Sequence, residues 1–177
     1  ALGNSIKVSV CASSNAYFND AVNLINSGSG HAAGSTTVVV DAGNAYNVRD
    51  IIKFQNHDTF YRVDAISTNT LTITALGQPA GTGLTSAVVD NEQVDRRWEF
   101  FDLFDKAPGT SAGASAVGAA NDEIHIVVVD EDGLITGTKN EVLETFGFVS
   151  LASDAKDSIG NSNYYKDVIE RESNYIY

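Results

Sequence analysis

Apolar and polar positions alternate with different periods along this chain, and the periods divide it into elements. Residues 123–129 form its most apolar stretch, with Ile124, Ile126, Val127, Val128 and Val129 nearly continuous. Such a β-branched run predicts a strand buried in a sheet. Asp130, Glu131, Asp132 and Gly133 follow it and predict an acidic, glycine-closed turn. Residues 5–11 alternate strictly, Ile6, Val8 and Val10 against Lys7 and Ser9, which predicts a half-buried strand ending at Cys11. Residues 139–149 carry apolar side chains on both alternating sets, Val142, Phe146 and Phe148 against Leu143 and Val149, which fits a strand covered on both sides.

Two stretches have helical spacing. Phe18, Val22 and Ile25 recur at i, i+4 and i+7 in residues 16–25, with Asn15 as a cap, although Asn19 and Asn23 weaken the pattern. Residues 161–173 predict the best helix, capped by Asn161 or Ser162, with Tyr164, Val168 and Arg171 along one face and Tyr165 and Ile169 beside it. The aromatic run over residues 97–104 predicts a further strand. Residues 107–120, rich in Ala, Ser and Gly, predict a mobile surface loop.

Between residues 36 and 74 the rhythm shortens. Val38-Val39-Val40, Ile51-Ile52-Lys53-Phe54, 60–66 and Leu71-Thr72-Ile73 read as short strands separated by polar turns, with Ser67-Thr68-Asn69-Thr70 closing a hairpin. Glycine- and serine-rich stretches at 27–35 and 77–86 bracket this region. The expected fold class is therefore α+β: a mixed sheet flanked by helices, carrying a small all-β, barrel-like insertion. The main domain would be discontinuous, residues 1–35 and 91–177, with the insertion at 36–90.

Composition narrows the function classes. The chain has 177 residues, 43% of them hydrophobic, enough to bury a core. Its 23 acidic and 11 basic residues give a net charge of −12, which repels phosphate backbones and anionic lipid. Arg49, Arg62, Arg96 and Arg97 form no basic stripe, so no nucleic-acid partner is expected. No apolar run approaches the roughly 20 residues of a membrane span, so no membrane partner is expected either. The single cysteine, Cys11, excludes an internal disulfide framework and reads as a buried thiol. The absence of Met and an opening that already feeds a strand suggest an internal piece of a longer protein.

Candidate chemistry is sparse. Asp130-Glu131-Asp132-Gly133 with Glu141 superficially evokes a calcium loop, but Leu134 and Ile135 take the positions where that loop needs an oxygen ligand and its glycine. Turn formation accounts better for the acids. His31, His57 and His125 lack the short-spaced partners of a zinc site, and His125 reads as a polar-face residue of its strand. No nucleophile elbow and no phosphate-binding loop occur, although spatially assembled carboxylate pairs are not visible in sequence. No residue is put forward as catalytic, cofactor-binding or metal-binding. Tyr164, Tyr165, Tyr175 and Tyr177 read as packing residues with an interface role as the alternative.

Several segments resemble the contractile tail sheath proteins of T-even-type phages, especially those of marine and cyanobacterial phages. They are the opening Ala1-Leu2-Gly3-Asn4-Ser5-Ile6-Lys7-Val8; Asn121-Asp122-Glu123 with His125-Ile126-Val127-Val128-Val129-Asp130-Glu131-Asp132-Gly133; residues 150–155; Asn163-Tyr164-Tyr165-Lys166; and the closing Asn174-Tyr175-Ile176-Tyr177. They cover the first dozen residues and most of 120–177. The resemblance implies a non-enzymatic virion protein, assembled in the host cytoplasm. Its subunits polymerise around the tail tube and contract to drive it through the host envelope. Neighbouring sheath subunits would be its partners, with tube and baseplate reached indirectly. The family's intersubunit links come mainly from chain termini and a C-terminal domain, so this piece alone should be a monomer. Two other readings stay open: a carbohydrate- or receptor-binding module, which needs an exposed cluster of Tyr46, Phe60 and Tyr61, and a hydrolase, which needs a carboxylate pair in a cleft.

Overall fold

The computed structural model describes residues 5–177, apart from the side chains of residues 21 and 22. The turn expected at Ala1 to Asn4 lies outside the described residues, as does the side chain of Val22. Strand outweighs helix, 36% against 13%, so the protein is a sheet-dominated α+β fold. Two compact units emerge. One joins the chain up to Tyr17 to Phe100–Tyr177, and the other is the continuous stretch Phe18–Glu99. The second unit takes in more chain than 36–90, because strands on either side of that stretch pair with each other.

In the first unit the strands β1 (Ile6–Cys11), β8 (Glu123–Asp130) and β9 (Glu141–Ser150) form a sheet in the order β1-β8-β9. These are the strands expected for the main sheet, but every pairing is antiparallel, which corrects the mixed sheet. β8 occupies the centre, and all its residues after Glu123 are buried. One face carries Ile124, Ile126 and Val128, packed with Phe146, Val149 and Val168. Val168 comes from the helix α3 (Tyr165–Glu172), which lies on β9. Neither Asn161 nor Ser162 caps α3; the Ser162 hydroxyl instead donates to Asp167 Oδ2 at 2.6 Å.

Two expectations fail in this unit. Residues 101–103 form a 3-10 turn where the aromatic run predicts a strand. The stretch 107–120 contains a short helix, α2 (Ala112–Ala116). Its N-cap Ser111 accepts from the Ala114 N–H at 3.1 Å, and its own N–H is held by Asp122 Oδ1 at 2.8 Å.

The second unit is a six-stranded antiparallel sheet in the order β2-β7-β4-β5-β6-β3, open as a hydrogen-bonded ladder. Its strands are β2 (Phe18–Leu24), β3 (Thr37–Val39), β4 (Ile51–Phe54), β5 (Phe60–Ser67), β6 (Thr70–Ala75) and β7 (Gln93–Arg97). The expected hairpin is present, with Ser67 opposite Thr70 and Thr68 in a left-handed conformation at the turn. The helix predicted over 16–25 is replaced by a short turn of helix, α1 (Ser14–Tyr17), and then β2. Here pairing with β7 overrides a marginal helical pattern containing two asparagines. One core gathers residues from across the sheet, among them Ile25, Val38, Ile52, Phe54, Tyr61, Val63, Leu71, Ile73 and Val94. Past the ends of the two edge strands, Ile25 and Val40 form an isolated antiparallel bridge, with Asn26 N–H donating to Val39 O and Asp41 N–H to Leu24 O.

Candidate functional site

Each group that could carry chemistry is positioned by the elements above, and the histidines are the most informative. His125 is 0% exposed in the middle of the sheet. This corrects its reading as a polar-face residue: both faces of β8 are covered. Its Nδ1 accepts the Phe148 N–H at 3.1 Å, and Nε2 lies 2.9 Å from Lys106 O. That pairing requires the neutral ring protonated on Nε2. Burial holds its pKa below the ordinary imidazole value, against the pull of the Lys106 carbonyl and Glu123. The ring stacks on Phe104, with centroids 4.1 Å apart, and meets Phe148 edge-on at 4.6 Å. The Tyr17 hydroxyl lies between the Phe101 and Phe104 carbonyls, at 2.5 and 2.8 Å, and fixes this segment.

Opposite His125 the β8–β9 register shifts, and Phe148 takes a φ of 57°, unusual for a bulky residue. His125 thus receives the N–H that this bulge takes out of the ladder. An isolated Gly147 within an apolar strand was the sequence signal for the bulge.

His31 and His57 serve the second unit in the same way. His31 Nε2 accepts the Val39 N–H at 3.0 Å, and burial lowers its pKa. His57 Nδ1 lies 2.7 Å from the Tyr61 hydroxyl, which also lies 2.8 Å from Thr85 Oγ1 and accepts the Thr85 N–H at 3.1 Å. Such a His-Tyr-Thr chain ties the loop at residue 85 to β5.

The acidic turn after β8 is organised by its first residue. Asp130 accepts from the backbone N–H groups of Gly133, Ile135 and Thr136 at 3.0, 3.0 and 2.7 Å, and from Thr136 Oγ1 at 2.9 Å. Burial alone would raise its pKa, but these donors outweigh it and hold the carboxyl below the usual range. Asp122 behaves alike, taking the Ser150 hydroxyl and the Ser111 N–H. Both carboxylates are consumed by the protein's own donors. Among the described residues no three His, Cys, Asp or Glu side chains gather as a metal site would require. Cys11 is buried, with Sγ 3.5 Å from Ser13 O.

The arginines are occupied too. Arg96 meets Asp50 at 3.3 Å, Arg62 meets Asp64 at 2.7 Å and Arg49 pairs with Glu99. Arg97 lies over the Phe18 and Phe60 rings at 4.6 and 5.0 Å. Phe60 is half-buried, while Tyr46 and Tyr61 are buried, so the exposed aromatic cluster needed for carbohydrate stacking is not formed by these three.

One surface differs from these self-satisfied clusters. In the first unit a groove of about 540 Å³ is lined by Tyr165, Lys166, Ile169, Glu170, Ile176 and Tyr177. A hollow of about 290 Å³ adjoins it, where Ile6, Val8 and Tyr175 join Ile176 and Tyr177. Val8 and Val10 remain 46% and 50% exposed on β1, continuing the apolar face beyond the reach of α3. Sequence periodicity marked Val8 and Val10 as inward-facing, but α3 packs on β9 and the two valines stay about half exposed. Among the described residues no helix is long and apolar enough to cross a membrane. Compared with protein-family models, curated proteins and solved structures, the chain matches none.

Proposed function

We propose that this chain is a structural domain of a phage contractile tail sheath subunit. The reading is carried by the resemblance over residues 121–133 and 163–166, together with the place of those residues in the fold. They build β8, its acidic turn and the start of α3, the frame of the first unit. Side chains used by their own backbone, as Asp122, His125 and Asp130 are, suit a part that moves as a rigid body and keeps its switching free energy in contacts with neighbours. In this reading the domain has no catalytic role and binds no cofactor. It belongs to the virion tail after assembly in the host cytoplasm, with neighbouring sheath subunits as its direct partners. The net charge of −12 would limit unwanted sticking between neighbouring virions.

We also infer that the second unit is a barrel-like insertion. A single sheet with one core and no covering helix of its own must curl to bury that core, and the Ile25–Val40 bridge brings its edges together.

The test is negative-stain microscopy of the complete gene product expressed alone, paired with sedimentation of this chain. Striated tubes from the former and a single 18.8 kDa species from the latter are expected. Discrete particles without helical order would remove the sheath reading. Rings formed by this chain alone would remove its passive role.

A further inference from the structure

We propose that the outer edge of β1 in the first unit is a docking site for one extended segment of a partner protein, apolar at alternate positions and basic at both ends. The phase of the β1–β8 ladder fixes what this edge offers. Glu131 N–H donates to Ser5 O at 2.8 Å, so Ser5, Lys7 and Ser9 turn their backbone groups toward β8. Those of Ile6, Val8 and Val10 point away from it, and β1 has no second neighbour in its sheet. Natural edges are blunted by a proline, a bulge or a charge turned inward. β1 contains no proline and pairs with β8 without a bulge, and its one charge, Lys7, lies on the face opposite Val8 and Val10.

The side chains give a second, independent observation. Register sets Val8 and Val10 on the same face as Val128 and Ile126, yet they are 46% and 50% exposed. The hollow lined by Ile6, Val8 and residues 175–177 continues that face. An added strand pairs with the edge groups and covers both valines at once, whereas a helix laid on the face leaves the edge groups unpaired.

Charge selects the occupant. The first unit holds six basic and fourteen acidic residues, a net charge of −8. Acids stand at both ends of β1. Exposed Glu131 is bonded to Ser5 at one end. At the other, Tyr17 lies within electrostatic reach of Cys11, the last residue of β1, and of Asp102 and Asp105. Two copies of this chain joined edge to edge would bring two such acidic units together, so the fitting strand is a foreign one with lysine or arginine at each end. The site stands on β1 alone and is independent of the sheath reading.

Titration of the chain with the peptide KVTVTVK, followed by amide hydrogen exchange, tests this. The expected signature alternates: the Ile6, Val8 and Val10 amides slow by about tenfold or more, while Lys7 and Ser9, already in the β8 ladder, do not change. The peptide EVTVTVE should bind about tenfold more weakly at low salt. Val8→Pro removes one outward N–H and leaves the β8 ladder whole, so it should weaken KVTVTVK about three- to tenfold. The exchange pattern of the unsubstituted chain decides even where Val8→Pro fails to fold. No binding at about 1 mM peptide, equal affinity for the two peptides, or protection that does not alternate would each overturn the proposal. Dimers of the chain alone in sedimentation would overturn the choice of occupant.

Discussion

At position 125 a strand otherwise filled by isoleucine and valine carries an imidazole, because the bulge at Gly147 and Phe148 leaves a backbone N–H that needs a buried acceptor. His125→Phe preserves the ring and its stack on Phe104 but strands both the Phe148 N–H and the Lys106 carbonyl. Its expected cost is about 1–3 kcal/mol in urea denaturation, because both groups are only partly buried and water reaches the exposed Lys106. A loss below about 0.5 kcal/mol would show that the ring contacts alone hold this site. Single residues were unevenly legible in the sequence. Burial of Cys11 and the turn-forming role of Asp130 follow from local pattern. His125 was misread because its cover comes from residues 104–106, whose own conformation the aromatic run obscures.

Among elements, strands bounded by polar turns were the most readable, since β5 and β6 alternate and their hairpin turn is compact. Elements whose form depends on a distant partner were not. β2 pairs with β7 across the length of its own unit, and that pairing decides against the helical spacing of Phe18 and Ile25. The groove beside α3 was unreadable for a related reason: whether Val8 is covered depends on which strand the helix packs against, and α3 lies on β9. Contrast between two strand positions tests this description. Ile126→Ala, on buried β8, should cost about 2–5 kcal/mol, and Val8→Ser, on the half-bare face of β1, no more than about 0.5 kcal/mol. Equal losses in denaturant titrations would mean that the β1 face is packed in solution.

For the whole molecule, His31 and His125 set the upper part of the acid limb of stability. His31 and His125 have folded pKa values below 6.5, so as pH falls through that value the unfolded chain takes up protons that the folded chain refuses. Stability therefore declines below about pH 6.5. A second decline follows below the ordinary carboxylate value of 3.8, as Asp122, Asp130 and Asp157 are forced to protonate. Asp50, raised by burial, takes up its proton early and partly offsets the loss. Urea midpoints that stay flat from neutrality to about pH 5 would contradict the histidine contribution. The division into two units carries a kinetic consequence as well. β1 and β8 are neighbours in one sheet, yet the entire second unit lies between them in the chain, and closing so long a loop is entropically slow. Phe18 and Arg97, near the two ends of that unit, are paired with each other. Once the unit has folded, the loop that β1 must close is far shorter. The inserted unit is thus a folding clamp for the unit that hosts it, and weakening its core with Phe54→Ala should slow the appearance of protected β1 amides in pulsed hydrogen exchange. Unaltered β1 protection kinetics in that variant would mean that the host sheet nucleates on its own.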